Sequence, residues 1–411
     1  MRKIPFHYGL IIVATGTLCN LACIGLGRFT LGMLLPSMAG SLNLTYSQMG
    51  IIGTMNFVGY LAAVLVSGFL EARLGAVRLI FAALILVGSS MLLLGLVKSF
   101  LFAVLLYTLT GVGSGAANVP TMGIVTRWFT RQKRGRASGY VVIGSGFAIV
   151  LSGRLVPFIN SVMGAEGWRT SWFAIGAAVL VIAFICAVLL RNRPEDMGLS
   201  PVGDKTCMNG PLKASSNPVN VYTETAIHHL GIIYFIFGCT YVIYATFIIT
   251  TLVKEMGFTE HQAGGMWTIV GFLSLFSGPL FGGLSDRMGR RAGLIAVFSL
   301  QTISYLLAAL GLRGIPIYIS MCFFGITAWS VPSIMAAAVG DYVGTEGMFK
   351  AFGFITFIFG IGQIIGPFVA GLLAETSGSF SGSFLVAGIL AAAAVYLSFR
   401  LKRRQNGGLE D

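Results

Sequence analysis

With 411 residues, 56% hydrophobic and only 10% charged, and a mean hydropathy of +0.86, the chain is too apolar for a water-soluble globule and reads as an all-α polytopic membrane protein. The net charge of +13 sits in short loops rather than in a basic tract interleaved with aromatics, which points to membrane topology and away from nucleic acid. No nucleophile, metal cluster or pair of acids shares one depth, which argues against an enzyme, a metal site or a cofactor.

Runs of about 20 apolar residues cross a bilayer at 1.5 Å per residue. Twelve are predicted, at roughly 9–37, 48–70, 78–97, 100–126, 137–162, 171–190, 229–252, 263–285, 292–312, 315–339, 351–374 and 381–400. If the N-terminus is inside, the outer segments hold only Lys98, Arg169, Lys254 and Arg313. Arg28 and Arg154 lie within spans, so the other 21 of the 27 basic residues fall on the inner side. That bias predicts both termini in the cytoplasm. Short loops favour a prokaryotic plasma membrane, the inner membrane if the cell is Gram-negative, and a monomer is expected.

Span 1 carries a single charge, Arg28. A guanidinium at bilayer depth costs about 2.5–3.5 kcal/mol on insertion scales, so something must compensate it. Cys19 and Cys23 lie four apart on this span, but without His or further Cys they read as small hydrophobes. Asn20, and Asn56 with Tyr60 in span 2, are weaker polar candidates. Span 4 places Tyr107, Gly111, Ser114, Asn118 and Thr121 at spacings of 4, 3, 4 and 3, a polar face suited to a wet cavity. A basic turn follows, Arg127 to Arg136, suited to anionic lipid. Span 5 carries the second buried cation, Arg154, at a depth matching Arg28. Either the two guanidiniums grip a carboxylate bidentately, as arginine geometry favours, or each satisfies backbone carbonyls near an unwound glycine.

The stretch Arg191 to Asn220 is polar, with Pro194, Pro201, Pro211 and Pro218, and reads as a cytoplasmic linker. The expected organisation is a six-helix bundle over 1–190, a linker over 191–228, and a second bundle with a basic tail over 229–411. The halves repeat, since Gly68, Leu70, Arg73 and Gly75 match Gly282, Leu284, Arg287 and Gly289 at a constant offset of 214. Such repeats are a transporter signature. In the second half, Tyr234, Phe237, Tyr241 and Tyr244 share one face of span 7, and Trp329, Ser333 and Gln363 are further cavity candidates.

All 14 acids lie in loops or near helix ends, and the four histidines flank the spans. Buried proton relays are therefore not visible, and exchange, uniport or symport of a protonated substrate is expected. Asp341, at the inner end of span 10, is the nearest exception. The reading is a transporter of a small organic anion, with efflux of lipophilic or cationic compounds as the alternative and a non-transporting receptor as a third.

The loop Gly282-Gly283-Leu284-Ser285-Asp286-Arg287-Met288-Gly289-Arg290-Arg291 resembles the signature loop between helices 2 and 3, and 8 and 9, of the major facilitator superfamily. That resemblance implies twelve helices in two six-helix bundles and alternating access, with Asp286, Arg287 and Arg290 forming a cytoplasmic gating latch. The first copy has Ala72 where the acid is expected and Glu71 one residue earlier. Gly111 to Gly115, Pro120, Trp128-Phe129, Arg134-Gly135 and the run Arg193 to Leu199 are similar to oxalate/formate antiporters and monocarboxylate carriers. Those hold the substrate carboxylate with a basic residue in helix 8, whereas span 8 here has none before Asp286. Gly25 to Phe29 and Leu34-Leu35-Pro36 look like the first helix of a bacterial branch of the superfamily.

Overall fold

An apolar segment in a bilayer must satisfy its own backbone, which selects helices. The computed structural model describes residues 7–203 and 224–401, together with the backbone of 404–405 and 408–409. The expected linker core at 204–223, the extreme N-terminus and most of the basic tail, including Lys402 and Arg403, lie outside the described residues.

Among the described residues, twelve helices are long and apolar enough to cross a membrane: α1 Gly9–Ser41, α2 Tyr46–Leu74, α3 Ala76–Leu94, α4 Phe100–Trp128, α5 Gln132–Met163, α6 Gly167–Leu189, α7 Thr225–Glu255, α8 Glu260–Met288, α9 Arg290–Ala309, α10 Ile315–Val343, α11 Lys350–Ser377 and α12 Ser381–Phe399. A two-residue antiparallel pair, Arg404–Gln405 with Gly408–Leu409, follows. The loop expected between spans 10 and 11 is itself helical, because helical bonding continues from Ser330 to Ser377. The chain nevertheless turns there. A side chain at Gly340 would meet the Met348 sulfur at 3.5 Å, although eight residues of straight helix rise about 12 Å.

The chain divides into two compact units, Met1–Leu44 with Met55–Pro211, and Thr45–Thr54 with Leu212–Asp411. In the first, α1 packs on α5 and α4, and α3 packs between α4 and α6. In the second, α7 packs on α11, α9 on α12 and α10, and α8 on α10. The start of α2 belongs to the second unit, where Gly50 lies against Pro367 and Gly371 of α11 and Thr54 donates to the Ile364 carbonyl at 3.1 Å.

The internal repeat is visible in backbone geometry. Gly75 and Gly289 adopt nearly the same conformation, φ 80° and ψ 153° against φ 91° and ψ 155°, at the break before α3 and α9. Only glycine adopts it without strain. The tightest helix crossing repeats as well. A Cβ at Gly111 of α4 would sit 2.0 Å from the Asn56 carbonyl oxygen of α2, and one at Gly325 of α10 would sit 3.0 Å from the Val270 backbone of α8, with both partners displaced by 214 residues. Small residues at these points let the backbones meet.

Gly111→Ala should therefore cost about 1–3 kcal/mol of stability through overpacking, Gly325→Ala less, and Gly282→Ala, whose added Cβ meets nothing within 4 Å, close to nothing. Thermal melting of the three purified variants in detergent gives the ranking.

Candidate functional site

The middle of α1, Leu21–Phe29, is wound as a π-helix, and it contains Gly25, Gly27 and Arg28. Such wide turns are rare and occur frequently at functional sites. Two buried side chains hold its carbonyls: the Tyr107 hydroxyl donates to the Arg28 carbonyl at 3.0 Å, and Asn56 Nδ2 reaches the Gly27 carbonyl at 3.5 Å as well as the Tyr107 carbonyl at 3.0 Å. Packing brings α1 close on its other side, where Gly25 faces Ser145 and Ala148 of α5 and Gly144 faces the Thr17 carbonyl.

The Arg28 side chain is directed at α2. Its guanidinium carbon lies 4.5 Å from the Phe57 ring centroid and 4.4 Å from that of Tyr60. These two aromatics, one turn apart, hold the cation over their ring faces. Its Nε and one terminal nitrogen are buried and have no hydrogen-bond partner. No carboxylate pairs with it among the described residues. A chain of polar groups leads away from the second ring: Asn118 Nδ2 donates to the Tyr60 hydroxyl at 3.0 Å, and Asn20 Nδ2 reaches Asn118 Oδ1 at 3.5 Å. Cys19 shares a contact of 3.1 Å with Thr121 just beyond.

Arg154 is not part of this cluster. It is exposed and makes no hydrogen bond or ion pair, on a stripe of α5 with exposed Phe147, Leu151 and Phe158. At 3.6 residues per turn it lies roughly 140° around the helix from the face that meets α1. Tyr107 and Ser114 are buried packing positions. Tyr107 is 1% exposed with its hydroxyl committed, and Ser114 donates to the Thr110 carbonyl at 2.8 Å and faces Gly27.

In the second unit the aromatic stripe of α7 divides. Tyr234, Phe237 and Tyr241 form a slab with Phe359 of α11, with interplanar angles of 13°, 14° and 9° to that ring. Gln363 donates to the Tyr241 hydroxyl, and Trp329 meets Tyr241 edge-on at 6.3 Å. Tyr244 is fully buried elsewhere, bonded to Ser320 at 2.7 Å and stacked on Phe324. The helix α10 is interrupted at Ala328 and Trp329, where Ser277 of α8 accepts from the Trp329 amide at 3.2 Å and its carbonyl accepts from Ser330 at 2.9 Å. Ser333 is exposed and bonds only the Trp329 carbonyl at 3.2 Å.

At the helix ends, Arg290 bridges Asp286 and Asp341, with 2.7 Å to the latter, and also reaches Ser285 at 3.2 Å. Arg287 is exposed and makes none of these contacts. In the first unit Glu71 pairs with Arg127. Arg127 and Asp341 are displaced by 214 residues, as are Glu71 and Ser285, so the two ion pairs occupy equivalent corners with opposite charge on α4 and α10. Sequence reasoning missed the Glu71–Arg127 pair, because its members are 56 residues apart, and it missed Phe57. The only signal for Phe57 was its spacing of three from Tyr60.

Residues 20–399 match the family model described as "Uncharacterised MFS-type transporter YbfB". The chain belongs to this transporter family. It is 23% identical to "Probable sulfoacetate transporter SauU" of Cupriavidus necator, covering 91% of this chain and 90% of that one. It is 22% identical to the hexuronate transporter of Bacillus subtilis, covering 92% and 91%, and 24% identical to human monocarboxylate transporter 2, covering 86% and 77%. Among solved structures, the transporter is similar in fold to an inward-facing bacterial homologue of the lysosomal transporter Spinster, with a TM-score of 0.75, 15% identity and 96% and 97% of the two chains covered. The nucleoside transporter NupG aligns with a TM-score of 0.72, 12% identity, and 96% and 99% covered. The transporter is thus a multi-pass membrane protein of the major facilitator fold.

The Glu71–Arg127 pair should show a coupling energy of about 0.2–1 kcal/mol in a double-mutant cycle of Glu71→Gln and Arg127→Gln, as expected for a partly exposed pair. The charge-reversed double variant Glu71→Arg with Arg127→Glu should melt closer to the wild type than either single reversal.

Proposed function

We propose that the transporter moves a small organic anion, a carboxylate or sulfonate, across the plasma membrane by alternating access between its two six-helix halves, with both termini cytoplasmic. The observation that carries this reading is Arg28, a guanidinium at mid-span whose buried Nε and terminal nitrogen have no partner. A buried donor left unsatisfied costs about 1–3 kcal/mol, and more when charged, so an anionic ligand recovers energy already spent in folding. The rings of Phe57 and Tyr60 hold the charge without using its N–H groups. Relatives named for sulfoacetate, hexuronate and monocarboxylates support the substrate class, since each of these is an anion.

In this proposal Arg28 grips the anion and Arg154 acts at longer range by attracting it. Asp286 and Arg290, with Asp341, form the gating latch, and Arg287 stands outside it. Tyr241, Gln363 and Trp329 are the binding residues proposed within the second unit, while Tyr107 and Ser114 support the helices of the first unit and Tyr244 those of the second. Asn118 orders the polar chain beside Arg28.

A ligand that binds only the folded state stabilises it by RT ln(1 + [L]/Kd), about 2.7 kcal/mol at a hundredfold excess over Kd. Thermal melting across short carboxylates, sulfonates, phosphates and cationic drugs should show a shift with one class of anion. Arg28→Ala should weaken that anion about 100-fold, as expected for losing charge-assisted hydrogen bonds, and Arg154→Ala less than about tenfold. A response to cationic drugs alone, unchanged in Arg28→Ala, would overturn the anion reading.

A further inference from the structure

Beside the two unpartnered nitrogens of Arg28 lies a third donor. The Tyr60 hydroxyl accepts the amide hydrogen of Asn118 and, among the described residues, donates to no group, so its own proton is uncommitted. The Arg28 guanidinium carbon lies 4.4 Å from the Tyr60 ring centroid, so the cation and that hydroxyl share one aromatic ring. A single acceptor oxygen can take hydrogen bonds of about 2.9 Å from two such neighbouring donors. Arg28, Tyr60 and Asn118 are each partly exposed as residues, although the two unpartnered Arg28 nitrogens are themselves buried, and Asn20 behind them is 4% exposed.

We infer that Tyr60 is a specificity-determining residue of the Arg28 site: its hydroxyl donates to the same anionic oxygen that Arg28 grips. Asn118 is the positioning residue that keeps the hydroxyl in the donor role by occupying its acceptor side. This inference rests on the anion reading above and sharpens it. The site supplies donors only, so it selects a fully ionised oxygen acceptor. It discriminates against ligands that present only hydrogen-bond donors, because an ammonium group would face Arg28 and Tyr60 with no acceptor between them. The arrangement is directional. Asn20 donates to Asn118, Asn118 donates to Tyr60, and Tyr60 donates to the ligand, so each amide orients the next group.

Nothing in the second unit repeats this arrangement. The positions displaced by 214 residues from Asn56, Tyr60 and Asn118 are Val270, Ser274 and Pro332, and Ser274 spends its hydroxyl on the Gly271 carbonyl of its own helix. The donor set is therefore a specialisation of the first half and not a by-product of the repeat.

The test uses the purified full-length chain, with propionate and ethanesulfonate as probes and the dissociation constant read from the concentration dependence of the melting temperature. Tyr60→Phe keeps the ring against Arg28 and removes the hydroxyl, both its donor and the acceptor that Asn118 uses, and it should raise the dissociation constant for both anions about tenfold. Asn118→Asp is isosteric but offers Tyr60 an acceptor and Arg28 a carboxylate. It should abolish the anion shift while the ligand-free melting temperature is held or raised, because the new acid compensates the buried cation. A purely structural role for these residues would instead lower the ligand-free melting temperature in both variants and leave affinity unchanged, which overturns the inference. The opposite orientation of the Asn118 amide, with Tyr60 donating to its Oδ1, predicts no loss of affinity in Tyr60→Phe, and that result also overturns it. Failure of the underlying anion reading looks different: neither probe shifts the wild type, or Arg28→Ala binds both as well as the wild type does.

Discussion

A positive charge placed inside a membrane helix without a carboxylate to answer it is the constraint on which the first half of this protein depends. Insertion of Arg28 costs about 2.5–3.5 kcal/mol, and a desolvated cation–π contact returns up to about 2 kcal/mol. Two rings, Phe57 and Tyr60, therefore come close to balancing the charge. They do so through their ring faces and leave Nε and one terminal nitrogen without a hydrogen-bond partner. An aspartate in the same place would have stabilised the cation and consumed the donors that a ligand needs. The π-helical winding of α1 belongs to the same solution. Its displaced carbonyls are collected by Tyr107 and Asn56, which make no hydrogen bond to the guanidinium Nε or to its buried terminal nitrogen, so backbone and charge are satisfied by separate groups.

The internal repeat shows which parts of a duplicated bundle are held by packing and which are free to diverge. The crossings of α2 with α4 and of α8 with α10 repeat at a glycine, because a side chain there would have to enter the backbone of the facing helix. The glycines that begin α3 and α9 repeat because their conformation is closed to other residues. The chemistry around these fixed points does not repeat. One corner pairs Glu71 with Arg127, and its equivalent pairs Arg290 with Asp341, so the sign of the charge on the fourth helix of each half is reversed. An ion pair constrains only the product of its charges, and either order satisfies it. The polar chain of Asn20, Asn118 and Tyr60 in one half is matched in the other by an aromatic slab on α7 and α11. The two halves thus share a scaffold and bring different chemistry to it.

The sequence by itself determined the twelve spans, the two-bundle fold and the presence of an uncompensated cation in the first span. Each of these follows from a local quantity: apolar run length, a repeat at fixed offset, and one charge among neutral neighbours. The polar positions Asn20, Asn56, Tyr60 and Asn118 were legible for the same reason, as polar groups on apolar helices. Only the tertiary structure decided which of them meet. It turned Arg28 toward α2, because i to i+5 winding in α1 changes the azimuth of the side chains there and no sequence period announces that change, and it left Arg154 exposed on a face of α5 away from α1. It also sent Tyr241 to Gln363 and Tyr244 to Ser320, although one helical stripe carries both tyrosines, since a fully buried helix has neighbours on all sides. Finally it joined Glu71 to Arg127 and seated Phe57 against Arg28. Those are contacts between segments far apart in the chain, settled by how the helices pack and not by anything adjacent to the residues themselves.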